Sequence, residues 1–308
     1  MDKKIYAIIN PTSNSGKTKK IWSASLQKLK NSFPDLSYRL SGYSGQAMEI
    51  AAAAVKSGYN YILAVGGDGT INEVANGILK VKSDLVLHPV KLIIFPQGTG
   101  SDLSRSLELK SGLNYLIERI KKNKVQAIKT VKAQFKTAAR VETRYFVNIA
   151  DCGMGAAVAK QLNQNSDFLK GSFAYLIAIL QILFKYKNKL VTIKADGEIV
   201  YQGKLNTAVV ASGKYFGGGI KIAPQANLSR ADLNLVLLKN ISSWQAIFNL
   251  VRAYRGSHLQ HELVSSCFAN NIEISSQIPL TVELDGEIVG CTKANFKLSS
   301  RKLLILVD

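Results

Sequence analysis

No part of this chain restricts its fold more than Tyr61–Leu79, YILAVGGDGTINEVANGIL. Tyr61, Ile62, Leu63, Ala64 and Val65 form a short continuous apolar run, the signature of a strand covered on both faces. Gly66-Gly67-Asp68-Gly69 reads as a turn, after which Ile71, Val74, Ala75, Ile78 and Leu79 fall at helical spacing. Thr70 and Glu73, three residues apart at the helix start, fit a capping box. A strand that hands a glycine turn to a helix start builds a phosphate cradle, because turns without side chains let ligand oxygens reach free amide N–H groups. Asp68 then lies beside an anion, a poor position for a carboxylate unless a metal ion or a proton mediates.

The same alternation recurs on both sides. Ile5 to Ile9 reads as a first strand, and Asn10-Pro11-Thr12-Ser13-Asn14-Ser15-Gly16-Lys17 follows it, offering amides and hydroxyls before a helix with Ile21, Trp22, Leu26 and Leu29 inward. A Walker A reading of Gly16-Lys17-Thr18 fails, since Pro11 stands where its first glycine would fall. Leu36 to Leu40 is a short strand, Ala47 to Ser57 a helix stopped by Gly58, and Leu92 to Phe95 another strand running into Pro96-Gln97-Gly98-Thr99-Gly100-Ser101-Asp102. Repeated strand, turn and helix predict an α/β layer with its ligand at the strand C-termini.

Near Lys124 to Arg140 the pattern changes. Alternating strands are expected at Val125 to Phe135, Tyr145 to Ala150, Leu190 to Ala195, Leu205 to Ser212, Leu233 to Leu238 and Leu280 to Leu284. They imply a β-rich second domain of sandwich type. Two helices interrupt it: Lys170 to Tyr186, and Trp244 to Arg255 with Ser242 or Ser243 as cap and Gly256 as stop. The longest apolar stretch, Phe173 to Phe184, is broken by Gln181 and too short to span a bilayer. It reads as a core helix of the second domain in preference to an interfacial helix with the basic run Lys185, Lys187, Lys189 at its end.

The chain carries 40 basic against 21 acidic residues, a formal net charge of +19, which draws it toward anionic partners or serves solubility. No helix-turn-helix, zinc-finger or RNP pattern accompanies the charge, so nucleic acid is not expected as a partner. Cys152, Cys267 and Cys291 are far apart with no CxxC, as in reduced cytosolic thiols, and His88, His258 and His261 add no ligand spacing. The opening MDKKIYAIINP enters a strand at once and leaves no room for a signal peptide.

Gly66-Gly67-Asp68-Gly69-Thr70 resembles the GGDGT motif shared by diacylglycerol kinase catalytic domains, NAD kinases and, more remotely, phosphofructokinases. Asn10-Pro11-Thr12-Ser13 resembles the NPxSG opening of diacylglycerol, sphingosine and ceramide kinases, stretched by two residues before Gly16, and NAD kinases lack that opening. Ser41 and Gly45-Gln46-Ala47 are similar to the family's TxxxGHA turn, and Pro96 to Arg105 to its PxGTxNDxAR segment, with Ser101 where asparagine is usual. Arg144 to Ala156 looks like RxFxNIAxxGxxA, Gly217 to Pro224 like GGGxxxAP, and Leu284-Asp285-Gly286-Glu287 like LDGE. The resemblance covers nearly the whole chain in order. It implies an N-terminal α/β nucleotide-binding domain of NAD kinase and phosphofructokinase type (1–128, completed by a return at 297–308) and a C-terminal β-sandwich-like domain (129–296).

What the resemblance implies chemically is ATP-dependent transfer of a phosphoryl group to a lipid hydroxyl, with diacylglycerol the expected acceptor and phospholipid biosynthesis the setting. ATP would be held by Asn10, Pro11, Thr12, Ser13, Gly16, Ser41, Gly66, Gly67, Asp68, Gly69, Thr70, Asn72, Glu73, Gly98 and Thr99. Magnesium would be held by Asp68 and Asp102, with Asp232 as a weaker third candidate, and Asp285 would act as base with Glu287 assisting and Asp68 in the catalytic set. On its own Asp285-Gly286-Glu287 reads as a hairpin turn, as Asp196-Gly197-Glu198 does. Arg230 and Lys129 stand where the resemblance expects acids of a magnesium network, and a side-chain charge there would replace a cation. Two alternatives stay open: a catalytically weak or inactive homologue that binds nucleotide or anionic lipid, and an NAD kinase. Expected partners are the lipid alcohol, an anionic membrane surface contacted peripherally from the cytoplasm, and a second copy of the chain in a homodimer.

Overall fold

The computed structural model describes residues 3–81, 88–98, 100–164 and 184–308. The expected helix Lys170 to Tyr186, the apolar run within it and Thr99 therefore lie wholly or largely outside the described residues. The chain divides into two compact units, one comprising Met1–Thr130, Tyr145–Val147 and Ser299–Asp308, the other Val131–Arg144 and Asn148–Leu298.

The first unit alternates β1 (Ile5–Ile9), α1 (Lys17–Ser32), β2 (Ser37–Leu40), α2 (Gln46–Lys56), β3 (Tyr61–Gly66), α3 (Asp68–Lys80), β4 (Lys91–Pro96), α4 (Asp102–Ser106) and α5 (Leu113–Lys122). Its strands are all parallel, in the order β2-β1-β3-β4, and the far end of β14 (Glu287–Leu306) adds beside β4 with Leu304 opposite Lys91. Every residue of β3 is buried, as its unbroken apolar run requires. Ile5, Ile9, Trp22, Leu29, Leu63, Phe95, Leu116 and Ile120 belong to one core that seats α1 and α5 on the sheet. α5 was not anticipated from its sequence.

The second unit is built from the later part of β5 (Val125–Lys136) and most of β6 (Val141–Phe146), then β7 (Ile149–Gly153), α6 (Met154–Gln164), β8 (Lys189–Ala195), β9 (Glu198–Ala211), β10 (Leu233–Lys239), α7 (Ser243–Arg255), β11 (Val264–Ala269), β12 (Asn271–Ser276), β13 (Thr281–Leu284) and most of β14. Two long strands change partners along their length. β9 pairs β8 through Glu198–Leu205, then β7 and β10 through its second half. β14 pairs β13 first and β12 later, with Phe296 opposite Ile272. Such switching gives a sandwich-like body whose two sheets share strands at the corners.

One expected strand needs correction, and two are added. The run Tyr145 to Ala150 is two strands, because β6 ends at Phe146 and Asn148 and Ile149 turn their amides to the carboxylate of Asp285. β11 and β12 were not anticipated. The expected return at 297–308 falls largely on β14, whose Phe296 serves the second unit and whose Leu304 and Ile305 serve the first.

Candidate functional site

In the first unit β2 lies on one side of β1 and β3 on the other, so the order of strands reverses there and the following connections part to opposite faces. Ligands of open parallel sheets bind at the strand C-termini beside such a reversal. Asn10 sits at the end of β1, its N–H on the carbonyl of Val65 at 3.0 Å. Its Nδ2 donates to Thr70 Oγ1 at 3.1 Å, and its Oδ1 accepts from Thr12 N at 3.1 Å and Thr12 Oγ1 at 2.8 Å. Ser13 Oγ donates to the Asn10 carbonyl at 2.9 Å, and Gly16, at φ 82, opens α1. Ser41, at the end of β2, donates its N–H to Ile9 O at 2.8 Å. Thus residues from three separate turns meet at one end of the sheet.

The glycine turn is shorter than the sequence suggests. α3 begins at Asp68, so Asp68 and Gly69 form its first turn and Gly67 is its cap residue, in an extended conformation that any residue could adopt. Space explains the glycines instead. A Cβ on Gly66 would lie 2.5 Å from Thr70 Oγ1, and one on Gly98 would lie 2.6 Å from Gly67 Cα. Gln97 N donates to Gly66 O at 2.8 Å, which holds the two turns backbone against backbone.

Asp68 needs no metal to sit there. Its Oδ2 accepts from Asp102 N at 3.1 Å and its Oδ1 from Leu103 N at 3.2 Å, so its carboxylate closes the start of α4. Asp102 is itself buried and bound by Arg105 at 2.6 Å. The capping box is corrected: with Gly67 as cap, Thr70 is already the third helical residue, and its hydroxyl serves Asn10. Glu73 reaches across to the start of α2, accepting from Gly45 N at 2.7 Å and Ala47 N at 3.0 Å. Asn72 is buried, and with Asn76 it donates to Tyr145 O, at 3.1 and 2.7 Å. Asn76 also accepts from Tyr145 N at 2.9 Å. Its partnership with Asn72 follows the i, i+4 spacing of a helix face, the one signal that could have found it.

In the second unit Asp285 and Gly286, at φ 48 and 93, form the two-residue turn between β13 and β14. Asp285 Oδ1 accepts from Asn148 N at 3.0 Å and Ile149 N at 2.9 Å, and Glu287 pairs with Arg144 at 3.0 Å. Asp196-Gly197 makes the same turn at φ 50 and 95, with Asp196 likewise accepting from the amides of Asn270 and Asn271. What separates the two is burial, since Asp285 is enclosed and Asp196 exposed. Arg230 is gripped by both oxygens of Asp232, at 2.7 and 2.8 Å, and lies over the Phe268 ring. Lys129 lies on β5, half-buried. Among the described residues no group of three or more His, Cys, Asp or Glu could hold a metal ion.

Sequence reasoning passed over Asp151. It is fully enclosed in the middle of β7, where its carboxylate accepts from Thr207 Oγ1 and from Ala156 N in the first turn of α6. Burial pushes its pKa up to about 6 against the pull of those hydrogen bonds. Since the folded value lies above the unfolded one, the stability it contributes is complete below the unfolded pKa and is lost as pH rises through about 6. The loss should reach about 3 kcal/mol, to order of magnitude. Asp151→Asn keeps an oxygen for Ala156 N and offers its NH2 to Thr207, so denaturant melts of the variant should lose this pH slope. An unchanged slope would assign it elsewhere.

Residues 4–133 match the family model for the diacylglycerol kinase catalytic domain, and residues 148–307 match the YegS C-terminal NAD kinase beta sandwich-like domain. The chain is 30% identical over 296 residues to a diacylglycerol kinase of Staphylococcus epidermidis strain RP62A, covering 96% of this chain and 89% of that protein. It is 28% identical to a diacylglycerol kinase of Bacillus subtilis strain 168, over 96% of this chain and 93% of that one. A crystal structure of a diacylglycerol kinase from Bacillus anthracis has the same fold at TM-score 0.70 and 19% identity, covering 99% and 97% of the two chains. An NAD kinase from Archaeoglobus fulgidus, solved in complex with ATP, shares the fold more distantly at TM-score 0.51 and 16% identity, covering 98% and 93%. The chain belongs to the diacylglycerol kinase family, with its catalytic domain followed by the sandwich-like domain.

Proposed function

We propose that this protein is an ATP-dependent lipid kinase that transfers the terminal phosphoryl group to a lipid hydroxyl, with diacylglycerol as acceptor and phosphatidic acid as product. The observation that carries the reading is the close backbone approach of two glycine turns, at Gly66-Gly67 and at Gly98, beside Asn10 and Thr70. Turns of this kind leave backbone amides open to phosphate oxygens. Phosphoryl transfer asks the protein mainly for positioning and charge stabilisation. On this reading Asn10, Thr12, Ser13, Thr70 and the glycine turns orient the phosphates, and Asp68 holds the start of α4 in place.

The acceptor oxygen forms the new bond to phosphorus as the bond to the bridging oxygen breaks and ADP leaves. Asp285 is read as the group that receives the hydroxyl proton, because two backbone amides fix one of its oxygens. Glu287, bound to Arg144, is read as supporting it. Magnesium supplies charge neutralisation in such reactions, usually through substrate phosphates, water and one or two carboxylates. Asp68, Asp102 and Asp232 are each engaged by N–H groups or a guanidinium, so they form no ready cage for the ion. Among the described residues no helix is long and apolar enough to cross a membrane, and the reading is of an enzyme that meets its lipid peripherally at the cytoplasmic face.

The test is ATP-dependent phosphorylation of a mixed bacterial lipid extract, with products resolved by mass. Wild type should make one phosphorylated lipid, and Asp285→Asn, which tolerates the left-handed turn, should be slower by about 100-fold or more. No product from wild type would sink the kinase reading. One observation would then favour a nucleotide- or lipid-binding homologue of little activity: Arg230, where the family resemblance expects an acid, is tied to Asp232 by two hydrogen bonds.

A further inference from the structure

Tyr145, near the end of β6, has both of its backbone hydrogen-bonding groups taken by one side chain. Asn76 Oδ1 accepts from Tyr145 N at 2.9 Å, and Asn76 Nδ2 donates to Tyr145 O at 2.7 Å, the pair of bonds that a residue of an adjoining antiparallel strand would make. Asn72 donates to the same carbonyl at 3.1 Å, and Asn76 Nδ2 lies 3.0 Å from Asn72 Oδ1 and 2.9 Å from Asn72 O, so the two asparagines are held as one. Asn76 is 2% exposed. Its helix is anchored in turn, since Glu73 closes the start of α2 and a Cβ on Gly77 would collide with the Met48 carbonyl of α2. A buried amide on so fixed a helix fixes the backbone that it meets.

On either side of Tyr145 the chain grips the turn that carries Asp285. Before it, Arg144 pairs with Glu287 at 3.0 Å. After it, Asn148 N and Ile149 N donate to Asp285 Oδ1 at 3.0 and 2.9 Å, and Asp285 N donates to Ile149 O at 2.9 Å. Phe146 and Val147, which lie between, are buried and leave the link little slack. Every one of these bonds is internal to one unit: Tyr145–Val147 is grouped with the first, and Arg144, Asn148, Ile149, Asp285 and Glu287 with the second. The peptide chain itself carries the constraint onward.

We infer that Asn76 is a positioning residue for Asp285: its amide fixes the backbone of Tyr145 and, through it, the two N–H groups that orient the Asp285 carboxylate. The inference rests on the reading of Asp285 as the group that receives the hydroxyl proton. α3 thus opens at the phosphate cradle with Asp68 and Thr70 and, about two turns further on, steadies the segment that aims the base. Were Asn76 only supplying bonds that the end of β6 lacks, its loss would loosen the first unit evenly. A positioning role predicts a local effect, greatest at residues 148 and 149.

Two full-length variants test this by amide hydrogen exchange and by kinetics: Asn76→Leu, and Asn76→Asp, a milder change that keeps the acceptor for Tyr145 N and carries the comparison if the leucine variant fails to fold. Exchange at Asn148 and Ile149 should quicken about 30-fold in Asn76→Leu, the scale expected for two lost hydrogen bonds, and less in Asn76→Asp, while β1 and β3 exchange as in wild type. On the kinase reading kcat should fall about 100-fold, with KM for ATP moving less than about threefold. Unchanged exchange at 148 and 149 would overturn the inference, as would an even quickening that includes β1 and β3. So would an undiminished kcat in a variant whose exchange at 148 and 149 has quickened. The exchange measurement needs no substrate, so it decides the link from Asn76 to Asp285 by itself, and a wild type that makes no product would count against the kinase reading alone.

Discussion

Asp68→Ala should lower kcat/KM for ATP by about 100- to 1,000-fold while the chain stays folded, and Asp68→Asn should recover most of that loss. The expectation follows from where its oxygens go. They accept from Asp102 N and Leu103 N, so the side chain ties the first turn of α3 to the segment after Gly98. Alanine leaves those amides without their acceptor and releases the turn that sits against Gly67, and misplacing a binding loop by an ångström costs about 100-fold. Asparagine keeps one oxygen and the size of the side chain but not the charge. The pair of variants therefore separates two roles. If positioning is the role, asparagine should come within about tenfold of wild type; if negative charge is needed beside the phosphates, it should be as poor as alanine. The split between kcat and KM adds a readout, since a slack turn should raise KM for ATP first. Full activity in Asp68→Ala would remove the residue from the site.

The first unit was legible because its signals are local. Tyr61 to Val65 reads as a covered parallel strand without knowledge of its neighbours, and β1 and β4 read the same way beside it. What spacing could not supply was the far end of each polar contact. Glu73 follows Thr70 at capping-box distance, yet its partners Gly45 and Ala47 belong to another helix that packs against α3. Asp68 drew attention as a carboxylate among glycines, but only the fold brings the amides of Asp102 and Leu103 to it. The glycines were read as turn residues, and the finding is that Gly67 and Gly98 are small because two backbones touch.

The second unit was less legible for a related reason. α7 was readable from Ser242, Gly256 and its period, whereas VSSCFA and NIEISS mix small polar residues with apolar ones and hide the alternation of β11 and β12. Asp285-Gly286 and Asp196-Gly197 are indistinguishable as sequence and as turns, and both aspartates accept amides of a neighbouring segment. Only the enclosure of Asp285 sets it apart, and enclosure depends on distant strands. Asp151 gave no sign of its position, because a single aspartate in an apolar strand is as readily an exposed edge residue as a buried cap.

The largest stability effect is expected at Arg119, a guanidinium almost wholly removed from solvent. Its Nε meets Asp308 Oδ1 at 2.8 Å, its Nη1 the Ile94 carbonyl at 3.0 Å and its Nη2 the Lys110 carbonyl at 2.8 Å. Three parts of the first unit are thus held by one side chain on α5. Arg119→Met fills much of the volume but strands two carbonyls and a carboxylate, and removing one partner of a buried pair costs about 3–5 kcal/mol. Urea unfolding read on Trp22, which shares a core with Leu116 and Ile120 of α5, should show it, best in a Trp244→Phe background. Asp308→Asn should cost less, because that side chain is partly exposed. Burial alone would raise the pKa of Asp308, but the hydrogen bonds from Arg119 and Lys110 N outweigh it and hold the value below the usual carboxylate range. A depressed folded pKa means that this contribution is present above the unfolded value and disappears as pH falls through the folded one. Wild type should therefore lose stability on acidification through that window where Asp308→Asn does not, and a variant pair with parallel pH profiles would show that Arg119 is held by its carbonyls alone.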